Sequence, residues 1–224
     1  MKLILSSQTG TVIQANLFES IIGLLMISPV FLLGVVLIAV LLITVFKKDI
    51  TTPRIKTTVS SFILYYYLCM MMVNIVGIPT LSEYRRLTRL GEAVFNPNIN
   101  LIPFSDGLSF SFIANIFLFI PLGFLCPLVS SAYGRVKNIF ILGLGLSFFI
   151  EIVQLFTLYR ATDINDILTN VVGTLIGYCC FRFVKKLRGR RSKPQSDLRT
   201  GGKDYTAHLP VVIMLIAFVA GFFS

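Results

Sequence analysis

Six apolar runs constrain this chain more than any other feature. They cover about Ile21–Phe46, Thr58–Ile78, Leu108–Val129, Ile139–Leu158, Ile167–Val184 and Leu209–Phe223, with polar segments between them. Five are close to the ~20 residues that a helix needs to cross a hydrocarbon core ~30 Å thick. In lipid a helix satisfies its own backbone polar groups. The predicted fold class is therefore all-α: a polytopic transmembrane helix bundle of five to six spans. The sixth run reaches only ~22 Å at 1.5 Å per residue. It is read as a span, with a tilted or re-entrant end as the alternative. Composition agrees. Hydrophobic residues make up 55% of the 224, only 13% are charged, and mean hydropathy is +0.84. Soluble domains carry roughly 25% charged residues. An ordinary soluble domain and a disordered chain are both excluded.

The net charge of +10 reads as a topology signal. One side of the bundle carries Lys2, Arg85, Arg86, Arg89 and Arg160, five in all. The other carries Lys47, Lys48, Arg54, Lys56, Arg135, Lys137 and eight residues between Lys185 and Lys203, fourteen in all. Arg182, at the inner end of the fifth span, can snorkel to that side. The richer side is predicted to be cytoplasmic and the N-terminus external. Basic residues are not interleaved with aromatic ones, so nucleic acid is not the expected partner. The first run starts too late and is too long for a signal-peptide core of roughly 7–15 residues, and is expected to stay in the membrane. All four cysteines (Cys69, Cys126, Cys179, Cys180) fall in apolar runs, which is not a disulfide framework.

Four parts follow: two N-terminal spans with an outer amphipathic segment over 1–94, a three-span core over 95–184, a basic cytoplasmic linker over 185–208, and the short apolar segment 209–224. In the outer segment Pro79 stops the second span, and Thr80 and Glu83 have capping-box spacing. Leu81, Tyr84, Leu87, Leu90 and Val94 then recur every three or four residues, opposite Arg85 and Arg89. This pattern predicts a short outer interfacial helix, with an ordinary tethering helix as the plainer alternative.

Polar side chains are expensive in hydrocarbon, about 2.5–3.5 kcal/mol for a charge, so each needs a partner or a task. Asn115 and Glu151 each lie seven residues inside the outer end of their span, ~10 Å deep. Gln154 lies one turn nearer the surface, Asn170 ~5 Å deep, and Asn74 near the outer end of the second span. Helical phase agrees as well. Gly143, Ser147, Glu151 and Gln154 form one stripe; Asp166, Asn170, Gly173 and Gly177 form another, containing a GxxxG contact motif. Facing stripes would join Glu151, Gln154 and Asn170 in an outward-opening cavity that Asn115 and Asp166 also line, with Arg160–Asp166 as a lid. The plainer readings are helix-binding hydrogen bonds for the amides, an N-cap for Asp166, and a surface ion pair for Asp163 and Arg160. Pro121 removes a backbone donor from the third span, which predicts a kink beside Asn115.

Four segments in series carry a resemblance: Asn100-Leu-Ile-Pro103-Phe104, Asn115-Ile-Phe-Leu-Phe119-Ile-Pro121-Leu-Gly123, Ser147-Phe-Phe-Ile-Glu151-Ile-Val-Gln154, and Arg160-Ala-Thr-Asp163-Ile-Asn-Asp166-Ile-Leu-Thr-Asn170-Val-Val-Gly173. Over roughly residues 95–182 the chain resembles the VanZ-like family, named for a teicoplanin-resistance membrane protein. The resemblance implies a cell-envelope protein that lowers susceptibility to this lipoglycopeptide. It adds Asn100 to the candidate binding residues Asn115, Gln154, Arg160 and Asn170.

Two functions of different class are compatible with these residues. In the first, an outward pocket engages a membrane lipid, a lipid-linked cell-wall intermediate or a lipoglycopeptide tail, with Arg160 holding phosphate. In the second, a membrane-embedded enzyme uses Glu151, Asp163 and Asp166 as acid, base or ligands of Mg²⁺ or Ca²⁺. A solute transporter ranks below both, since no inverted repeat is visible. Only the enzyme reading implies a cofactor. A zinc site is not expected, because the single histidine, His208, and the cysteines lie away from the outer polar set.

Overall fold

The computed structural model describes residues 3–6, 12–15, 28–50, 52–76, 80–92, 95, 99–100, 110–156, 162–189 and 204–223. Asn74 and Glu83 are described in backbone only. The fold is an all-α bundle. Helix α1 spans Pro29–Lys48. Helix α2 spans Arg54–Met70 and runs on into a π-helical turn, Met71–Val76. A short helix α3 spans Leu81–Leu90. Then come α4 over Phe110–Val129, α5 over Val136–Gln154, α6 over Ile164–Gly189 and α7 over Leu209–Phe222. Four of these helices, α1, α4, α5 and α6, are each long and apolar enough to cross a membrane. This is a membrane protein.

Local chemistry sets the helix ends. The Ser28 side chain accepts a hydrogen bond from the Phe31 N–H at 3.1 Å, and Pro29 occupies the first turn. Those are the two residue types that start helices, and they place the start of α1 eight residues later than apolarity alone suggests. Residues 21–27 lie outside the described residues. Gly91, at φ +69°, ends α3, with the Glu92 N–H donating to the Leu87 carbonyl; a left-handed residue there satisfies the last carbonyls.

Two small strand pairings lie outside the bundle logic. Strands β1 (Leu3–Ser6) and β2 (Val12–Ala15) pair antiparallel, Leu3 with Ala15 and Ser6 with Val12. Strands β3 (Ile99–Asn100) and β4 (Thr162–Asp163) pair parallel.

The core is centred on α4 and α6. Glycines let their backbones meet: a Cβ on Gly173 would collide with the Ile116 carbonyl, one on Gly177 with the Ile120 carbonyl, and one on Gly123 with the Thr174 carbonyl. The GxxxG of α6 therefore faces α4, and not α5 as the paired stripes predict. Helix α5 meets α6 along the adjacent face, where Gly143 lies against the Thr174 side chain. Helix α7 packs on α1 and α2, burying Leu209, Ile213, Met214 and Ala217. The sixth apolar run is thus part of the bundle. Helix α1 buries Gly34, Ile38, Leu42 and Val45, one stripe of its surface, and leaves Leu33, Val36, Leu37 and Val40 exposed. Such an apolar outer face suits lipid.

The amphipathic segment after the second span is a helix, as its spacing predicts. Leu87 is buried, while Leu81 and Tyr84 line an apolar cavity of about 270 Å³ with Val153, Phe156, Phe218 and Phe222. Thr80 and Ser82 share a hydrogen bond between hydroxyls at 2.8 Å. Val94 and the Glu83 side chain of the expected capping box lie outside the described residues.

Candidate functional site

The site gathers where the end of α5 meets the start of α6. Helix α5 carries Ser147, Glu151 and Gln154 on its buried side. Glu151 is only 2% exposed, and its Oε2 accepts a hydrogen bond from the Asp163 backbone N–H at 3.0 Å. The Thr162 hydroxyl donates to the Glu151 carbonyl at 3.1 Å. Strand β4 thus rests on Glu151 through one side-chain and one backbone contact. This is the described part of the expected lid; Arg160 lies outside the described residues.

Asp163 starts α6. Its Oδ1 accepts from the Asn165 N–H and from Asn165 Nδ2, both at 2.9 Å. An aspartate accepting from the second helical N–H is an N-cap. Asp163 fills that role, and not Asp166 as its position near the run suggests. Asp166 lies in the first turn instead, where its Oδ1 accepts from Asn115 Nδ2 at 2.7 Å, tying α6 to α4. Both acidic residues sit where the positive end of the α6 dipole favours them.

One turn deeper, Asn170 Nδ2 donates to the Ser147 hydroxyl at 2.9 Å, linking α6 to α5. Asn170 is 4% exposed, and its Oδ1 has no hydrogen-bond partner among the described residues. An unmet buried acceptor costs about 1–3 kcal/mol. Gln154 is 5% exposed and borders the same region. Asn100 reaches the site by pairing: it stands opposite Asp163 in the parallel β3–β4 ladder.

The structure therefore brings together Asn100, Asn115, Glu151, Gln154, Asp163, Asp166 and Asn170. Residues 101–109 and 157–161, which flank the cluster in the chain, lie outside the described residues, and the expected outward opening lies with them. Glu151, Gln154 and Asn170 are buried where α5 meets α6. Three further members escaped sequence reading. Asn165 is buried and bonded to Asp163, Thr169 donates to the Asn165 carbonyl at 2.8 Å, and Thr174 donates to the Asn170 carbonyl at 2.9 Å. The four-residue steps from Asn165 to Thr169 and from Asn170 to Thr174 on α6 are the signal that could have found them.

Chemically, the cluster presents one desolvated carboxyl group, an unmet amide oxygen, and two aspartates already committed to helix-start and interhelix bonds. Among the described residues, no three histidine, cysteine, aspartate or glutamate side chains converge closely enough to hold a metal ion. His208 is exposed at the start of α7, at the other end of the bundle.

Comparison with known proteins places these residues in context. A family model described as VanZ/LLP1 matches residues 31–185. The match begins inside α1, so it takes in the two N-terminal spans as well as the core that carries the motifs. Protein VanZ of Enterococcus faecium is 39% identical over 90 residues, 38% of this chain and 55% of that protein. The chain thus spans about half the length of this curated relative. No solved structure matches it. With the family model covering well over half of its length, and with its motif residues gathered at one helix junction, the chain belongs to the VanZ/LLP1 family.

Proposed function

We propose that this protein acts in the cell envelope as a VanZ-type membrane protein, lowering susceptibility to teicoplanin, and that the Glu151 cluster is its working site. The cluster would engage the polar part of an amphiphile, either a membrane lipid, a lipid-linked wall intermediate or the antibiotic itself. One observation carries the reading. A carboxyl group on α5 and an unmet amide oxygen on α6 are both buried in a membrane bundle, where each is costly unless used. Family membership supports the cellular role. The charge count supports an orientation with the Glu151 end outward and the basic end of α6 cytoplasmic. That orientation puts the cluster in the leaflet where a lipid-tailed antibiotic arrives.

Access to the carboxyl group would require β4 to lift from Glu151. The test is Glu151→Gln, nearly the same in shape. Cells with the wild-type chain are expected to tolerate more teicoplanin than cells with the variant, at equal membrane abundance. Lipid and wall-precursor profiles of the two strains separate binding from turnover: unchanged pools support binding, and a changed product pool supports an enzyme. Full tolerance with Glu151→Gln would remove the carboxyl group from the mechanism.

A further inference from the structure

A second site lies at the opposite end of the bundle. Arg182, Lys185 and Arg188 step by three along the end of α6 and so share one side of that helix. With Lys56, in the first turn of α2, they line a cavity of about 430 Å³ whose apolar wall includes Phe124 and Phe181. Lys185 and Arg188 lie close enough to Lys56 for their charges to repel its own. Among the described residues, no carboxylate forms an ion pair with any of the four. The nearby acids are engaged by hydroxyls and backbone: Thr52 donates to Asp49 at 2.6 Å, and Ser131 and the Thr206 N–H donate to Asp204 at 2.7 and 3.0 Å. The start of α2 adds to the positive field, since its N-cap is Pro53, which offers no capping side chain.

Four like charges around one cavity repel unless an anion sits among them. Arginine and lysine are the side chains that hold phosphate. The apolar wall beside them has no use for a free inorganic ion but suits a hydrocarbon chain. We propose that this cavity seats the phosphate of an anionic lipid headgroup, with the first part of an acyl chain against Phe124 and Phe181. The site is separate from the Glu151 cluster and does not depend on its role.

The experiment uses the purified full chain in neutral detergent, with native mass spectrometry of bound dioleoyl phosphatidylglycerol against dioleoyl phosphatidylcholine. The wild type is expected to prefer the anionic lipid by at least about tenfold. In Lys56→Gln/Arg188→Gln, loss of two cations is expected to abolish that preference, bringing the ratio to about one. Lys56→Arg/Arg188→Lys should keep it, as should Arg85→Gln/Arg89→Gln, which removes two exposed charges from α3. Equal loss in both glutamine pairs would show a general charge effect and overturn the site. No preference in the wild type would do the same without any variant. Competition decides the source of the phosphate: short-chain phosphatidylglycerol should displace the bound lipid, and displacement by millimolar inorganic phosphate would overturn the lipid assignment.

Discussion

Asp163 offers a way to separate scaffold from chemistry at the cluster. Its Oδ1 accepts two hydrogen bonds, from the Asn165 N–H and Nδ2 at 2.9 Å each. An N-cap is worth about 1 kcal/mol, and a second partly buried hydrogen bond about 1 kcal/mol more. Asp163→Ala removes both, so the expected loss is about 2 kcal/mol, roughly thirty-fold in the folding equilibrium. Asp163→Asn keeps an oxygen at the same place and asparagine is as good an N-cap, so its expected cost is under about 1 kcal/mol. Reversible unfolding of the purified protein in mixed micelles with increasing dodecyl sulfate measures both. Teicoplanin susceptibility, measured in parallel, then has a clear reading. If Asp163 only starts the helix, Asp163→Asn keeps the phenotype; if its charge is used, the phenotype falls while stability stays. Equal unfolding of the alanine and asparagine variants would refute the cap assignment on which this rests.

Three further outcomes are expected. Gly177→Ala should destabilise the bundle by about 1–3 kcal/mol in the same unfolding assay, because the new methyl meets the Ile120 backbone; Gly145→Ala, with nothing within 4 Å of the new group, should cost nothing. A double-mutant cycle of Asn115→Ala and Asp166→Ala should show a coupling of about 1–2 kcal/mol, from the 2.7 Å bond between α4 and α6. Arg190→Cys, in a chain without its native cysteines, should resist a membrane-impermeant thiol reagent added outside intact cells; labelling there would reverse the orientation.

Much of this arrangement was legible in the sequence because membrane burial leaves a strong pattern. The apolar runs became helices, and the stripe Ser147, Glu151, Gln154 lies on the buried side of α5. Spacing within one helix is a local property. What the sequence did not disclose is which helix receives which face. Gly173 and Gly177 announce close contact, but only the three-dimensional packing says that α4 is the partner. The same holds for Asn100, whose place beside Asp163 depends on a strand pairing of two residues, too short to show a pattern. Choosing Asp166 over Asp163 as the cap came from placing the start of the fifth span at Ile167, when the helix begins at Ile164. The Ser28–Pro29 start of α1 was readable, but the apolar residues before it concealed it.

The β3–β4 bridge has a consequence for how the protein is made. Ile99–Asn100 leaves the ribosome before Thr162–Asp163, and α4 and α5 are synthesised between them. Synthesis and folding proceed from the N-terminus, so β3 must wait for its partner until two helices have entered the membrane and returned the chain to the same side. Only then can β4 settle on Glu151 and Asp163 start α6. The contacts of β4 with Glu151 therefore form only after α4 and α5 are in place, and the side chains of α6 complete the cluster last.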